Sequence, residues 1–275
     1  EHEQQHQELL LMDIKNLFSR NPCLPAYKKI KLIENKHSAI DWVEFKSEEH
    51  NLGYDGSEFH FDNETPVHRQ IIPSFKIASR LITNGEYLDF INDGGYRDSN
   101  LWLSDGWSYI SKNNINHPLY WSKKNNYWNE FTLTGITEIS PDTPVCHVSF
   151  FEADAFATWL NCRLPTEYEL EIAAKSAAPK QQEVSMHPSG GNHKFLNDFY
   201  SNTWQWTNSA YLPYPGFKTA SGAIGEYNGK FMSNQMVLKG SSCVTPKNHS
   251  RHSYRNFFYP HQRWPFTGIR LACNN

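Results

Sequence analysis

The sequence predicts an α+β fold: an irregular, loop-rich domain over residues 42–275, preceded by one helix and a linker. Three observations lead there. Apolar residues recur at helical spacing through residues 1–19, short alternating stretches begin after Asp41, and turn residues dominate beyond Lys175.

The first helix is drawn over 1–19, where Leu9, Leu10, Leu11, Ile14, Leu17 and Phe18 fall three and four apart with no Gly or Pro between them. Asn21-Pro22 ends it, and Pro25 confirms the break. Residues 26–41 are polar and lysine-rich, which suits a linker crossing a surface. Strands are expected at 42–45, 58–61 and 69–72. Helices are expected at 84–93, closed by Gly94-Gly95, at 151–161 and at 167–175. In the last of these, Thr166 and Glu169 form a capping box. The remainder to Asn275 reads as loops rich in Gly, Asn and Tyr, with no internal repeat.

Composition limits the function. The chain has 275 residues, 39% hydrophobic and 20% charged. With a mean hydropathy of -0.67 it reads as soluble and globular. A formal charge of -3 argues against a nucleic-acid partner, which needs clustered cations. No apolar run reaches the roughly 18 residues of a membrane span, and no cleavable leader is visible. Five cysteines, an odd number without a CxxC pair, fit reduced thiols in a cytoplasmic protein. Aromatic residues reach 15%, nine of them Trp. Such rings either enclose flat or quaternary-ammonium ligands or fill a loop-rich interior. The chain opens at Glu1, without Met and already in helical periodicity, so an upstream segment is expected.

His2 and His6 lie four apart, which sets both imidazoles on one helix face within reach of one metal ion. A solvated polar helix start is the plainer alternative. Glu8 and Asp13 are near enough to orient a ligand or to cap a neighbouring helix. The same residues, His2-Glu3-Gln4-Gln5-His6, fit the H-E-x-x-H pattern of zinc hydrolases, with Glu3 as general base. The metzincin extension is absent, since Leu9 stands where its Gly belongs.

The larger domain contains Ser74-Phe75-Lys76-Ile77, Ile82-Thr83-Asn84-Gly85-Glu86-Tyr87, His147-Val148-Ser149-Phe150 and Arg163-Leu164-Pro165-Thr166-Glu167. Trp204-Gln205-Trp206-Thr207, Leu238-Lys239-Gly240-Ser241-Ser242 and Gly268-Ile269-Arg270-Leu271-Ala272 follow. In these stretches, and in their order, the domain resembles formylglycine-generating enzymes and sulfatase-modifying factors, a C-type-lectin-like fold. Because this fold serves several functions, the choice rests on further residues. The helix from His2 to Leu11 resembles the last helix of the DinB-like iron-binding domain in the sulfoxide synthases of ergothioneine biosynthesis. Residues 226–231 and 234–238 resemble their late active-site region, and Tyr254-Arg255-Asn256-Phe257-Phe258-Tyr259-Pro260 with Arg263-Trp264 their substrate-binding stretch. The implied domains are 1–25, a last helix whose companions are missing; 26–41, a linker; and 42–275.

The resemblance implies an iron(II) enzyme that uses O2 to join a cysteine-type thiol to C2 of the imidazole of hercynine (Nα-trimethylhistidine), giving a sulfoxide. It implies His2 and His6 as two of three histidine ligands, the third upstream, so that the 275 residues alone are expected to be inactive. It also implies that Gln5 faces the bound imidazole and that Asn256 contacts the betaine. Phe257 and Phe258 would wall the trimethylammonium pocket, where a core role is the alternative for each ring. Arg255 and Arg263 would recognise carboxylates, with surface solvation the alternative. Tyr227 is a candidate catalytic residue, as proton donor or pocket wall. Phe258 and Gln262 stand where members using γ-glutamylcysteine carry acidic and Arg residues, which favours free cysteine. A lectin-like binding module without catalysis is the non-enzymatic rival. Cys243 has no partner in its own segment, unlike the cysteine pair that holds copper in formylglycine-generating enzymes.

Overall fold

In the computed structural model, which describes residues 1–32, 36–178, 183–189, 195–219, 221–222 and 225–274 apart from the side chains of Glu226 and Tyr227, three helices start with one device. Thr83, Ser149 and Thr166 N-cap the helices α2 (Asn84–Asn92), α4 (Phe150–Trp159) and α5 (Glu167–Ala177), each with a reciprocal Glu at the third position. In each box an arginine grips the carboxylate: Arg80 on Glu86 at 2.9 and 3.0 Å, Arg263 on Glu152 at 2.9 and 3.0 Å, and Arg163 on Glu169 at 2.6 and 2.8 Å. A cap alone stabilises a helix by about 0.5–2 kcal/mol, and the guanidinium also ties it to a second segment.

Helix α1 (His2–Ser19) comes first, and residues after it run to the strands β1 (Trp42–Phe45), β2 (Glu48–Leu52), β3 (His68–Ile72) and β4 (Phe75–Ala78). Beyond α2 and α3 (Ser104–Asn113) come β5 (Trp121–Lys124), β6 (Tyr127–Thr132) and β7 (Gly135–Glu138). After α4 and α5 follow β8 (Trp204–Ala210), α6 (Gly225–Asn228), β9 (Met236–Gly240), β10 (Asn256–Phe258), β11 (Thr267–Gly268) and β12 (Ala272–Asn274). The sheets are β1-β4-β12, β10-β9-β8-β11, β2-β3 and β5-β6-β7, with only the β8–β11 pairing parallel.

The largest core cluster joins α2 and α4 to the second sheet through Tyr87, Phe90, Phe156, Trp204, Trp206 and Leu238. A fully buried Arg270 links sheets, donating to Gln205 Oε1 at 2.7 Å and to the Ala78 carbonyl at 2.8 Å, and pairing with Asp198. That is the physical content of the Gly-Ile-Arg-Leu and Trp-Gln-Trp motifs. Gly240 ends β9 at φ +92°, where a Cβ would lie 2.4 Å from the Phe199 carbonyl, so only glycine can turn the chain toward Ser242.

Several expectations change. Residues 58–61 form no strand and lead instead into a 3-10 turn, Asp62–Glu64. The region after Lys175 is more regular than its turn-rich sequence suggests, since β8 and β9 pair through its centre. Helix α3 was not expected. The backbone N–H groups of Tyr27 and Lys28 both donate to the Leu133 carbonyl, so this part of the 26–41 stretch lies on the domain surface. Residues 33–35 of it lie outside the described residues.

Candidate functional site

Helix α1 sits directly on the large domain, and no separate helical subdomain stands among the described residues. Its buried side chains are not the leucines. Glu8, Met12 and Lys15 are buried, while Leu10 and Leu17 are 59% and 66% exposed. Glu8 Oε1 accepts from the Trp204 indole N–H at 2.7 Å and from Ser242 Oγ at 2.8 Å, and its Oε2 accepts from Thr245 Oγ1 at 3.0 Å. Burial raises its pKa, against the pull of those three hydrogen bonds. Lys15 Nζ lies 2.7 Å from His147 Nε2, over the rings of Tyr120 and Phe266 at 5.0 and 4.9 Å. Burial lowers the lysine's pKa. Burial and then Lys15 hold the imidazole well below its usual value, so neutral His147 accepts from the lysine. Cys146 and Cys243 lie in the apolar cluster with Met12 and Phe266, and burial pushes both thiols up, Cys146 to about 12. Such thiols are inert rather than metal-binding.

Orienting this interface turns the other edge of α1 outward with His2 and His6. Their Nε2 atoms stand 3.3 Å apart, and the rings cross at 81° with centroids 4.6 Å apart. Two imidazoles on one ion, with bonds of about 2.0–2.1 Å, need a separation of about 2.8–3.0 Å at octahedral angles and about 3.3–3.4 Å at tetrahedral ones. The 3.3 Å pair matches the wider angle, and is also the length of a long ring-to-ring N–H···N hydrogen bond. Among the described residues no third His, Cys, Asp or Glu completes a ligand set.

Next to His6 on the same helix, Gln5 enters a cavity of about 200 Å³ between α1 and the domain. Asn256, Phe257 and Phe258 in β10 form its far wall, with Phe61, Asn63, Asn228, Trp204, Tyr254 and His249 around it. The backbone of β10 is fixed against β9 by the register Asn256↔Leu238 and Phe258↔Met236. Phe257 stacks on Tyr211 at 4.1 Å, and Phe258 meets Trp264 edge-on at 5.3 Å. Asn256 Oδ1 accepts from the Phe257 N–H at 2.9 Å, so the amide offers its N–H donors to a ligand.

A polar chain backs the cavity. Gln5 Nε2 donates to Tyr254 Oη at 2.7 Å, and that oxygen lies 3.1 Å from His249 Nε2. His249 Nδ1 lies 3.1 Å from Glu1 Oε2 and 3.3 Å from Gln4 Oε1. Burial and then Arg251 lower the His249 pKa to about 4. Neutral imidazole with its proton on Nδ1 suits every partner, Tyr254 donating to Nε2; the tautomer is assigned from this network.

The other site residues separate. Arg255 borders the cavity, but its guanidinium is buried, bonding Glu167 at 2.7 and 3.0 Å, the Asn63 and Leu212 carbonyls at 3.0 and 2.9 Å, and the Tyr214 ring at 4.0 Å. Arg263 opens instead on a second cleft, of about 420 Å³, with Asp13, Asn16, Arg20 and Gln262. Its guanidinium grips Glu152 and the His117 carbonyl. Neither is a solvated surface charge: both are buried. Tyr227 belongs to α6, whose Asn228 lines the cavity, but its side chain lies outside the described residues. The helix periodicity drew attention to leucines and so missed the polar seat of Glu8 and Lys15. His249 carries no signal in its own loop.

The fold and the cavity define a class. Residues 44–195 and 180–275 match the sulfatase-modifying factor enzyme 1-like domain, and the chain belongs to that family. Within it, the hercynine oxygenase of Mycobacterium tuberculosis is 31% identical over 98% of this chain and 69% of its own length. That of Mycolicibacterium smegmatis is 30% identical over 98% and 69%. Formylglycine-generating enzyme from Bos taurus is 27% identical over 56% of this chain and 43% of its own. Two solved structures share the fold: PvdO from Pseudomonas aeruginosa has a TM-score of 0.53 at 15% identity, covering 85% of this chain and 94% of its own. Treponema denticola variable protein 1 has a TM-score of 0.54 at 13% identity, covering 86% and 95%. The matches that run along nearly the whole chain name an oxygenase, not a hydrolase or a binding module. No helix among the described residues is long and apolar enough to cross a membrane.

Proposed function

We propose that this chain is the part of a hercynine oxygenase that binds and orients the substrates, and that with a third iron ligand outside these 275 residues the full-length protein joins a cysteine-type thiol to the imidazole of hercynine with O2, yielding a sulfoxide. The observation that supports it most is the convergence of His2 and His6, 3.3 Å apart, beside a cavity shared by Gln5 and the Asn256–Phe258 strand. Iron(II) held there by the two imidazoles and further donors would supply O2 activation. In this reading α1 is the last helix of a helical iron-binding unit (1–25), joined by 26–41 to the domain at 42–275. Five free thiols suit a reducing compartment such as the cytoplasm.

The chain's own residues then bind and orient. Phe257 and Phe258 offer ring faces to the trimethylammonium, an attraction of about 0.5–2 kcal/mol for a desolvated cation. The Asn256 amide donates to the betaine carboxylate. Gln5, held by Tyr254, fixes the substrate imidazole near His2 and His6. Tyr227 remains the candidate proton donor. An apolar Phe258 and a neutral Gln262 stand where members using γ-glutamylcysteine carry acidic and Arg residues, so free cysteine is the expected thiol.

The test measures O2 consumption and sulfoxide formation, by mass spectrometry, in the full-length protein with iron(II), hercynine and thiol. Turnover should require both substrates and iron(II), and should vanish in His6→Ala. Turnover that survives His6→Ala overturns the metal assignment, and a higher kcat/KM for γ-glutamylcysteine than for cysteine overturns the thiol assignment.

A further inference from the structure

Away from this site, two half-buried thiols face each other across a short antiparallel bridge. Arg163 and Ala272 exchange both backbone hydrogen bonds, at 2.9 Å from Arg163 N–H and at 2.8 Å from Ala272 N–H. In that pairing the residue before Arg163 stands opposite the residue after Ala272, so Cys162 faces Cys273. This is the non-hydrogen-bonded position, where Cα atoms approach to about 4.5 Å and side chains are closest. A disulfide spans Cα separations of roughly 4.4–6.8 Å, so the backbone need not move. The thiols are close enough that Cys273 adds to burial in raising the pKa of Cys162. Both are free and partly open to solvent, whereas Cys146 and Cys243 are buried.

We infer that Cys162 and Cys273 form a reversible oxidation site that closes to a disulfide by exchange with a low-molecular-weight disulfide. Cys273 thiolate attacks one sulfur of the small disulfide, breaking its S–S bond and releasing one small thiolate. Cys162 then loses its proton and attacks the Cys273 sulfur of the mixed disulfide, releasing the second small thiolate. Two protein thiols are oxidised and one small disulfide is reduced to two thiols. Burial, and then the neighbouring Cys273 thiol, push Cys162 up to about 12, so Cys162 is written as the second nucleophile. Once Cys273 is in the mixed disulfide, its contribution to that elevation is gone, and the nearby Arg163 guanidinium favours the second thiolate. The closed bond ties β12, and through it β4, to the segment that follows α4.

This site is independent of the proposed iron chemistry. The test equilibrates the 275-residue chain with graded ratios of reduced and oxidised glutathione, then alkylates, digests without reduction and maps peptides. A peptide joining Cys162 to Cys273 is expected, with Cys23, Cys146 and Cys243 alkylated after denaturation. The oxidised protein should melt about 5 °C or more above the reduced one, because the bond closes a long loop. Cys162→Ser and Cys273→Ala, tested separately, should each abolish both the peptide and the shift, while Cys23→Ser should preserve them. Stable glutathione adducts without the joined peptide overturn the inference. So does a reduced protein whose pair binds zinc(II) tightly enough to block oxidation.

Discussion

A buried guanidinium holds structure when its donors find partners inside the protein, and Arg255 does so. Its partners are Glu167, two backbone carbonyls and the face of Tyr214. Arg255→Gln is expected to leave Glu167 buried and uncompensated, lowering unfolding free energy by about 3–5 kcal/mol in urea titrations. Unchanged stability with a raised KM for either substrate would show instead that the guanidinium serves a ligand. At His249 the sign of the pH effect can be worked out. Its folded pKa, about 4, lies below the ordinary 6.5, so unfolding takes up a proton between those values. Its contribution is complete above pH 6.5 and falls toward pH 4, at about 1.4 kcal/mol per pH unit. Lys15 and His147 are depressed too, while the raised Glu8 carboxyl favours the folded state at low pH. The gap between wild type and His249→Gln cancels the distant groups, leaving His249 and the Glu1 carboxylate it touches, and is expected to narrow as pH falls from 6.5 to 4. Parallel profiles would remove His249 as the titrating residue.

At the scale of the element, α1 shows what a hydrophobic pattern can and cannot say. Periodicity located the helix, and four-residue spacing brought His2 and His6 together. Spacing alone did not say which face is buried: Leu10 and Leu17 are exposed, Leu9, Leu11 and Ile14 are half-buried against the Met12 cluster, and the fully buried side chains are a carboxylate, a methionine and an amine. Those groups bury only because their partners, Trp204, Ser242, Thr245 and His147, come from residues far along the chain. No local pattern contains that information. Capping boxes were legible at Thr166, being local; the arginine that holds Glu152 comes from 111 residues away, beyond any local pattern. Glu8→Ala is expected to cost roughly 1–3 kcal/mol, since it leaves the buried Trp204 N–H unpaired. In the 275-residue chain, Leu17→Ser should stay within about 0.5 kcal/mol of wild type. Equal losses from the two would mean that the leucine face has a partner.

The whole molecule binds α1 to the region after Lys175, where the sequence offered the least regular signal. Segments around Trp204, Ser242 and Tyr254 converge on one helix face because β8, β9 and β10 lie side by side in one sheet. The family stretches made this region recognisable, while their physical roles, such as Arg270 bridging two sheets, appear only in three dimensions. A helix seated by polar contacts on adjacent strands should open with those strands, not before them. An isolated helix of 18 residues with few buried leucines would otherwise be marginal in water. Native-state hydrogen exchange is therefore expected to give the amides of residues 6–15 the same opening free energy as those of β8 and β9. In Glu8→Ala the helix amides should exchange through a cheaper, separate opening, while β8 and β9 keep protection close to the new global value. The cavity and the converged imidazoles would then be lost together in that partial opening, because Gln5 and His6 lie on the same helix. Fast exchange of α1 in the wild-type chain would show that the polar seat does not hold the helix, and that the geometry at His2 and His6 depends on other contacts.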